Sequence, residues 1–350
     1  MNKIAKLSSH SAQIILDTLV KEGINVTVVS AKYKLLKIIH EGSTFFIRGT
    51  SFPVNSQPTC MIANNKYLTK KVLKLAKVRI PKTYLVKTAL QAKKLINTKN
   101  LYPCVLKPTV GAHGNKVYAN IETEAELDEI MPHIFPATGT KNVLIEEFIQ
   151  GKDYRVFVVG DKISAIMERI PAHVIGDGVN TLRRLITIFN NNPLVGVKYE
   201  KPMCKIRLNG EVKRNLKKKG VNYKYIPKIN EIFFLRQNSN ISTGGIGKDA
   251  TIEAPEIVRA TALAATKALG MGVTGVDIIY NKKTNKAYVL ELNDQPGIDI
   301  HHFPVIGRAQ NVALDIINYI LNRPTPEMTI AGLEKLPLET PTLEKILPAI

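Results

Sequence analysis

The chain reads as an α+β protein of more than one lobe, and three observations lead there. Its 350 residues exceed one small module and suit two or three closely packed lobes. Amphipathic helical stretches are interleaved with short β-rich runs, several of them joined as hairpins. Hydrophobic residues make up 45% and charged residues 22%, the balance of an ordinary globular chain.

Residues 8–22 read as the first helix, because Ile4, Leu7, Ile14, Ile15 and Leu19 fall on one side. Ser8, Ser9, His10, Gln13 and Asp17 interrupt that stretch and argue against a signal peptide. A short strand follows at 25–29, then LLKIIH (35–40) and TFFIRG (44–49), joined as a hairpin by Glu41-Gly42-Ser43. Residues 64–77 form an amphipathic helix that stops before Pro81. The strand CVLKP (104–108) runs into the loop TVGAHGNKV and a second strand, and acidic residues with alanine mark a helix at 123–132. NVLIEEFIQG (142–151) is a strand that becomes a linker, followed by the β-rich pair YRVFVVG and DKISAIMERI. Residues 180–191 and 254–270 are helical, the second ending at Gly270. GVDIIY and AYVLELN are strands across the turn-rich NKKTNK, and a helix spans about 309–321. The Pro-interrupted tail, Arg323 to Ile350, has room for a short helix near Leu333 or Leu343.

Several function classes drop out on composition. No run approaches the 18 apolar residues of a membrane span. The cysteines Cys60, Cys104 and Cys204 are widely spaced and lack metal-ligand spacing, so reduced thiols in a cytoplasmic protein are expected. The formal charge of +20 suits a nucleic-acid binder, a membrane-surface protein or an enzyme for anionic ligands. With no tryptophan, 6% aromatics and no zinc-finger or RNP-like motif, a nucleic-acid partner is not expected. The one dense basic run, Lys213, Arg214, Lys217, Lys218 and Lys219, reads as a solvated loop.

Four segments carry chemistry. Asp277 lies in GVDIIY and Glu291 in VLELND, with Asn293 two residues on and therefore on the same strand face. If these strands pair, two carboxylates and an amide form an all-oxygen set suited to Mg²⁺ held against phosphates. Both carboxylates sit in apolar runs, where an unpaired charge is costly. Lys107 ends an apolar strand just before Pro108 and the loop from Thr109 to Lys116, whose backbone N–H groups can cradle phosphates. No GKS or GKT follows, so this is not a Walker motif, and a plain hairpin explains the two glycines as well; Lys66 alone reads as a surface lysine. The extended stretch from Leu144 through Glu146, Glu147 and Ile149 to Arg155 can offer its backbone to an adenine edge and a carboxylate to ribose. The polar run Arg236-Gln237-Asn238-Ser239-Asn240-Ile241-Ser242-Thr243-Gly244-Gly245 suits an anion pocket as well as an ordinary loop.

In this order the segments resemble the ATP-grasp superfamily, most nearly the ATP-grasp region of cyanophycin synthetases and bifunctional glutathione synthetases. The strings NNKYLTKKVLKLAKVRIPKT, IEEFIQGKDYRVFVVGDK, ERIPAHVIGDGVNTL, LRQNSNISTGG, GVTGVDIIY and LELNDQPGIDIHHFPVIGRAQNV carry the likeness, from about residue 23 to 322. The resemblance implies an ATP-grasp fold, two α/β lobes gripping ATP. It divides the chain into an N-terminal α/β segment (1–62), a small lobe with the phosphate loop (63–147), a large lobe with the metal and substrate site (148–322) and a tail (323–350). It implies that Lys66 and Lys107 contact phosphates under a loop containing Gly111, His113 and Gly114. Glu146, Glu147 and Ile149 would line the adenine hinge, and Asp153 would hold ribose. Asp277, Glu291 and Asn293 would bind one or two Mg²⁺, with Mn²⁺ an acceptable substitute. Arg236 would neutralise the transferring phosphoryl group, and Ser242, Thr243, Gly244 and Gly245 would bind the carboxylate and its acyl phosphate. Asn240, Arg155, Arg169 and His301 would lie near substrate, His301 equally fitting a structural place.

The implied activity is an ATP-dependent carboxylate–amine ligase that forms an amide through an acyl phosphate, on amino acids or a small peptide. A ligase modifying an acidic protein or peptide tail is the alternative, and a non-catalytic nucleotide- or nucleic-acid-binding protein a third. No membrane partner is expected, and a homo-oligomer stays open. Three departures stand out: Lys116 where the family usually has glycine, the polar Asp294-Gln295-Pro296-Gly297, and Asp299 where relatives often carry an apolar or basic residue. Asp299, with Asp294, is expected to face a cationic amine. The chain shows neither a Mur-ligase-like part nor a glutamate–cysteine ligase half, so a stand-alone relative is expected.

Overall fold

The computed structural model describes residues 6–111, 117–135, 142–197, 201 and 203–322. Helix α1 (His10–Lys21) starts at Ser9, whose hydroxyl accepts the Ala12 N–H and satisfies a first-turn donor. Its buried stripe, Ile15, Leu16 and Leu19, shares a core with Leu36, Ile38 and Ile47 of a three-stranded antiparallel meander. That meander is β1 (Asn25–Ser30), β2 (Leu35–His40) and β3 (Ser43–Arg48). Glu41 and Gly42 both take left-handed φ, +48° and +77°, which a two-residue hairpin turn demands.

Helix α3 (Lys66–Leu75) stands where the sequence suggests a helix over 64–77, and α2 (Gln57–Ala63), not expected from the sequence, precedes it. Asn65 makes the break, its side chain accepting the N–H groups of Tyr67 and Leu68 at 3.1 and 3.2 Å. Next come β4 (Thr83–Val86), α4 (Ala89–Thr98), β5 (Cys104–Pro108), β6 (Tyr118–Ile121), α5 (Glu124–Ile134) and β7 (Val143–Glu147). The strands form one antiparallel sheet in the order β4-β7-β5-β6, packed with α4 and α5 around Ile96, Leu106, Leu127 and Ile145.

The remainder is organised by β8 (Lys152–Val159) and β9 (Lys162–Ile170). An excursion follows through β10 (His173–Ile175), α6 (Leu182–Asn191), β11 (Val195–Gly196), β12 (Met203–Cys204), α7 (Gly210–Lys218) and β13 (Ile232–Phe234), with its own core around Leu185, Phe189 and Leu216. The chain returns through a 3₁₀ turn (Ile241–Thr243), β14 (Ile246–Asp249), α8 (Glu256–Leu269), β15 (Val273–Asn281), β16 (Lys286–Asn293), α9 (Asp299–His302) and α10 (Val312–Ile320). A five-stranded antiparallel sheet, β14-β9-β8-β15-β16, results. Alternation decides its faces. Val156 and Val158 join the core under α8, while Phe157 and Val159 join the core with α1 and α10.

The basic run is not a loop. Asn209 caps α7 by accepting the Val212 N–H, and Val212, Asn215 and Leu216 form its buried side. Part of the charge is also matched: Lys218 Nζ lies 2.9 Å from Glu122 and 3.4 Å from Glu126, and Lys217 pairs with Glu129 beside it on α5. The tail, with Leu333 and Leu343, lies outside the described residues.

Candidate functional site

Strand register assembles a polar row on the five-stranded sheet. Asp277 on β15 stands opposite Arg155 on β8 and opposite Glu291 on β16, while Asp153 stands opposite Arg169 on β9. Residues two apart share a face, so Asp153 and Arg155 project with Asp277, as Glu291 does with Asn293. Arg155 grips the Asp277 carboxylate with Nε and Nη2, and Arg169 Nη2 reaches the same carboxylate at 3.1 Å and Asp153 Oδ1 at 2.6 Å. Burial opposes the charge on Asp277, but the two guanidiniums outweigh it and hold the carboxyl well below its usual range. At Asp153 burial prevails and pushes the carboxyl up, although Arg169 pulls the other way.

The facing wall comes from α3 and the four-stranded sheet. Lys107 at the end of β5 is buried, with Nζ 2.8 Å from Glu146 on β7. Lys70 shares that carboxylate at 3.5 Å and donates to the Val289 carbonyl at 2.8 Å. Burial draws Lys70 down to about 8, with Glu146 opposing. The sequence reading missed Lys70; its one signal is a place four residues after Lys66, on the same helical face. Lys66 itself crosses the cleft: Nζ is 2.9 Å from Glu291 and donates to the Gly111 carbonyl at 2.8 Å.

Between the walls lies a cleft of about 620 Å³, within the size range of nucleotide-scale pockets. It brings together Lys66, Lys107 and Gly111 on one side with Asp153, Arg169, Asp277 and Glu291 on the other. Glu146, Glu147 and Ile149 line its hinge. The Glu146 carboxylate is spent on the two lysines, and that of Glu147 accepts the Lys82 N–H at 2.9 Å, so the hinge is left with backbone groups to offer. His113 and Gly114, with Lys116, lie outside the described residues.

A larger chamber, about 1770 Å³, meets the cleft at Arg236, Asn238 and Asn240. Arg236 is 2% exposed, paired with Glu211, and donates to the Arg207 carbonyl at 3.1 Å and to Asn209 Oδ1 at 2.9 Å. Burial pulls its pKa down, with Glu211 opposing. Ser242 and Thr243 line the chamber; Gly244 and Gly245 do not, and serve the turn instead. Gly244 has φ +102°, and a Cβ at Gly245 would stand 3.0 Å or less from three carbonyl oxygens, those of Ser239, Asn240 and Ile170. Asp299 lines the chamber, its Oδ1 accepting from Ser11 Oγ at 2.6 Å.

Besides Gly244 and Gly245, four expected site residues stand back from both cavities. Arg155 acts on Asp277 from the side, and Asp294 is buried, accepting from Asn64 at 2.9 Å. Asn293 donates Nδ2 to the Gly275 carbonyl at 3.0 Å. His301 is 1% exposed and meets Phe157 edge-on at 5.6 Å, and neither ring nitrogen has a hydrogen-bond partner among the described residues. Burial, reinforced by Arg155, pushes it down to about 3, which makes it a neutral core side chain.

A divalent ion suits the donor set. Asp277 and Glu291 stand opposite each other on paired strands, and Glu291 and Asn293 lie on one face. No group of three or more His, Cys, Asp or Glu side chains forms a metal cage among the described residues. Two carboxylates and an amide match an oxygen-loving ion that takes its other ligands from phosphates and water.

The ATP-grasp domain family matches residues 63–297, the stretch that supplies both walls. The chain is 32% identical over 319 residues to the glutathione biosynthesis bifunctional protein of Listeria welshimeri, covering 89% of this chain and 40% of the relative. It is 30% identical over 270 residues to cyanophycin synthetase of Crocosphaera subtropica, covering 76% and 31%. The crystal structure of a bifunctional glutathione synthetase from Pasteurella multocida superposes with a TM-score of 0.64 at 27% identity, over 89% of this chain and 43% of that one. The chain thus spans less than half the length of each of these relatives.

Proposed function

The chain belongs to the ATP-grasp family, and on that premise we propose an ATP-dependent carboxylate–amine ligase acting on amino acids or a small peptide. One observation carries the reading: Lys66 and Lys107 face Asp277 and Glu291 across a single cleft that opens onto a second chamber at Arg236. Residues 63–147 and 148–322 act as the two lobes, between the segment 1–62 and the tail 323–350.

A carboxylate is a poor electrophile. Its oxygen attacks the γ-phosphorus of ATP, the bond to the bridging oxygen breaks, and ADP leaves. Lys66, Lys107 and Arg236 offset the negative charge in that transfer. Asp277, Glu291 and Asn293 would hold one or two Mg²⁺, or Mn²⁺, and a bound ion supplies further neutralisation of the phosphates. Ser242 and Thr243 hold the carboxylate from the chamber side. The amine nitrogen then attacks the acyl carbon, the C–O bond to phosphate breaks, and the amine gives up a proton. Asp299, fixed by Ser11, receives the substrate ammonium. Positioning does most of the rest.

Among the described residues no helix is long and apolar enough to cross a membrane. We place the reaction in the cytoplasm, where ATP is supplied. The test is a phosphate-release screen over pairs of amino acids and short peptides, with product masses measured. The expected result is ATP-, metal- and amine-dependent phosphate with a product lighter by one water than its two substrates. ATP binding without phosphate release across the whole panel would overturn the reading.

A further inference from the structure

We propose that the N-terminal segment builds an anion-binding wall of the substrate chamber, so that the acid substrate is a short polycarboxylate, such as an acidic peptide. The proposal deepens the ligase reading and rests on it for the reaction, though not for binding. Its basis is the chamber's charge. Lys32, Lys34 and Arg48 come from the meander and Arg207 and Arg214 from the α7 region, and all five line the chamber. None has a carboxylate partner among the described ion pairs. Two of the chamber's carboxylates are ion-paired, Glu129 with Lys217 and Glu211 with Arg236, which leaves Asp299, held by Ser11, for the amine.

Lys32 and Arg48 are exposed and Lys34 is half-buried, on turns that backbone hydrogen bonds fix. Lys34 has a left-handed φ of +54° and closes a turn onto the Ala31 carbonyl at 3.2 Å. The Gly49 N–H donates to the Lys34 carbonyl at 3.0 Å, and Arg48 and Ser51 exchange backbone hydrogen bonds at 3.0 and 3.3 Å. Two adjacent turns therefore present the side chains together. Lys32 lies over the Tyr33 ring and Arg214 over the Tyr118 ring, but no carboxylate among the described residues pairs with any of the five, so the chamber favours an incoming anion. A single reacting carboxylate is already served at Arg236, Ser242 and Thr243. The wall has use only for further anionic groups on the same molecule, for which guanidinium–carboxylate pairing is well suited. Asn240, Ser242 and Thr243 line the same chamber, so one ligand can meet both the wall and the reacting site. Lys32, Lys34 and Arg48 also lie outside the stretch that matches the family, 63–297.

The test is the binding of fluorescein-labelled tetraglutamate to the full chain, compared with an oligothymidine of equal charge. The triple variant Lys32→Ala, Lys34→Ala, Arg48→Ala should weaken peptide binding about tenfold and lessen its salt dependence. A charge-matched control, Lys282→Ala, Lys283→Ala, Lys286→Ala on the exposed β15–β16 turn, should leave it unchanged. No binding by the wild type, equal weakening in both triple variants, or tighter binding of the oligothymidine overturns the proposal. Peptide binding without phosphate release from any acid would sustain the wall and sink the ligase. Release with monocarboxylates alone, and no peptide binding, would do the reverse.

Discussion

Glu146→Gln should destabilise the fold in a way that depends on pH and ATP. Glu146 is 2% exposed and is the counter-charge shared by Lys107 at 2.8 Å and Lys70 at 3.5 Å. Glutamine keeps the shape but strands two buried ammoniums side by side. Breaking a buried ion pair from one side costs about 3–5 kcal/mol. One escape exists, because Lys70 is already drawn down to about 8 by burial, and Glu146 is the chief influence holding it up. Without Glu146, Lys70 sheds its proton at lower pH, so the penalty is large at pH 6 and smaller at pH 9. The sign follows from linkage. The folded value lies below the ordinary 10.5, so the unfolded chain holds more protons between pH 8 and 10.5, and stability from this group rises with pH across that window. In the variant the lower edge of that window falls, while its upper edge stays at the ordinary value. Thermal unfolding should show a midpoint lowered by about 5–10 °C at pH 6. ATP should recover more of the midpoint in the variant than in the wild type, since its phosphates supply the missing negative charge beside Lys107. An unchanged midpoint at pH 6, or an equal penalty at pH 6 and pH 9, would refute the account of the buried triad.

Three further outcomes follow from the same geometry. Asp277→Asn should lower kcat by about a hundred- to a thousandfold in the phosphate-release assay, and also lower the unfolding midpoint, because Arg155 and Arg169 lose their shared carboxylate. His301→Phe removes two unpartnered buried nitrogens and should leave stability unchanged or raise it by about 1 kcal/mol at pH 7, with KM values unmoved. Because His301 sits at about 3 when folded against 6.5 when unfolded, the wild type loses stability as pH falls from 6.5 toward 3; urea unfolding at pH 7 and pH 5 should show a shallower loss in the variant. Gly245→Ala drives a Cβ toward three carbonyl oxygens and should cost about 1–3 kcal/mol, with a raised KM for the acid as the 240–243 turn shifts.

Local pattern made much of this molecule readable. The β2–β3 hairpin, α8 with its Gly270 stop, and the pairing of GVDIIY with the strand that carries Glu291 follow from alternation and turn chemistry. Helix α7 was hidden by its lysines, although Val212, Asn215 and Leu216 carry a helical spacing and Asn209 a cap. What stayed illegible depends on distant partners. Lys70 looks like any helix lysine until β16 brings the Val289 carbonyl over it, and Glu146 looks like a hinge carboxylate until two lysines close on it. His301 reads equally as a substrate or a structural residue until Phe157 and the surrounding core enclose it. The first 62 residues look like a separate segment because the bond tying them to the chamber, Ser11 to Asp299, spans 288 positions.

On the two-lobe reading, the ion pairs from α7 to α5 and to Glu122 just before it join one lobe to the other, and their exposure makes dissolved salt a kinetic variable. Lys217 with Glu129 is an exposed contact and Lys218 with Glu122 and Glu126 a partly exposed one, so screening by salt weakens them. A joint made of such contacts should open more readily than the cores on either side. Potassium chloride competes for the same charges over a Debye length of about 8 Å at physiological strength. Raising it should hasten the parting of the lobes and the escape of ADP while leaving the melting temperature nearly still. Where nucleotide departure limits turnover, moderate salt would then quicken this protein, until screening of the Lys32–Arg48 wall costs it its substrate.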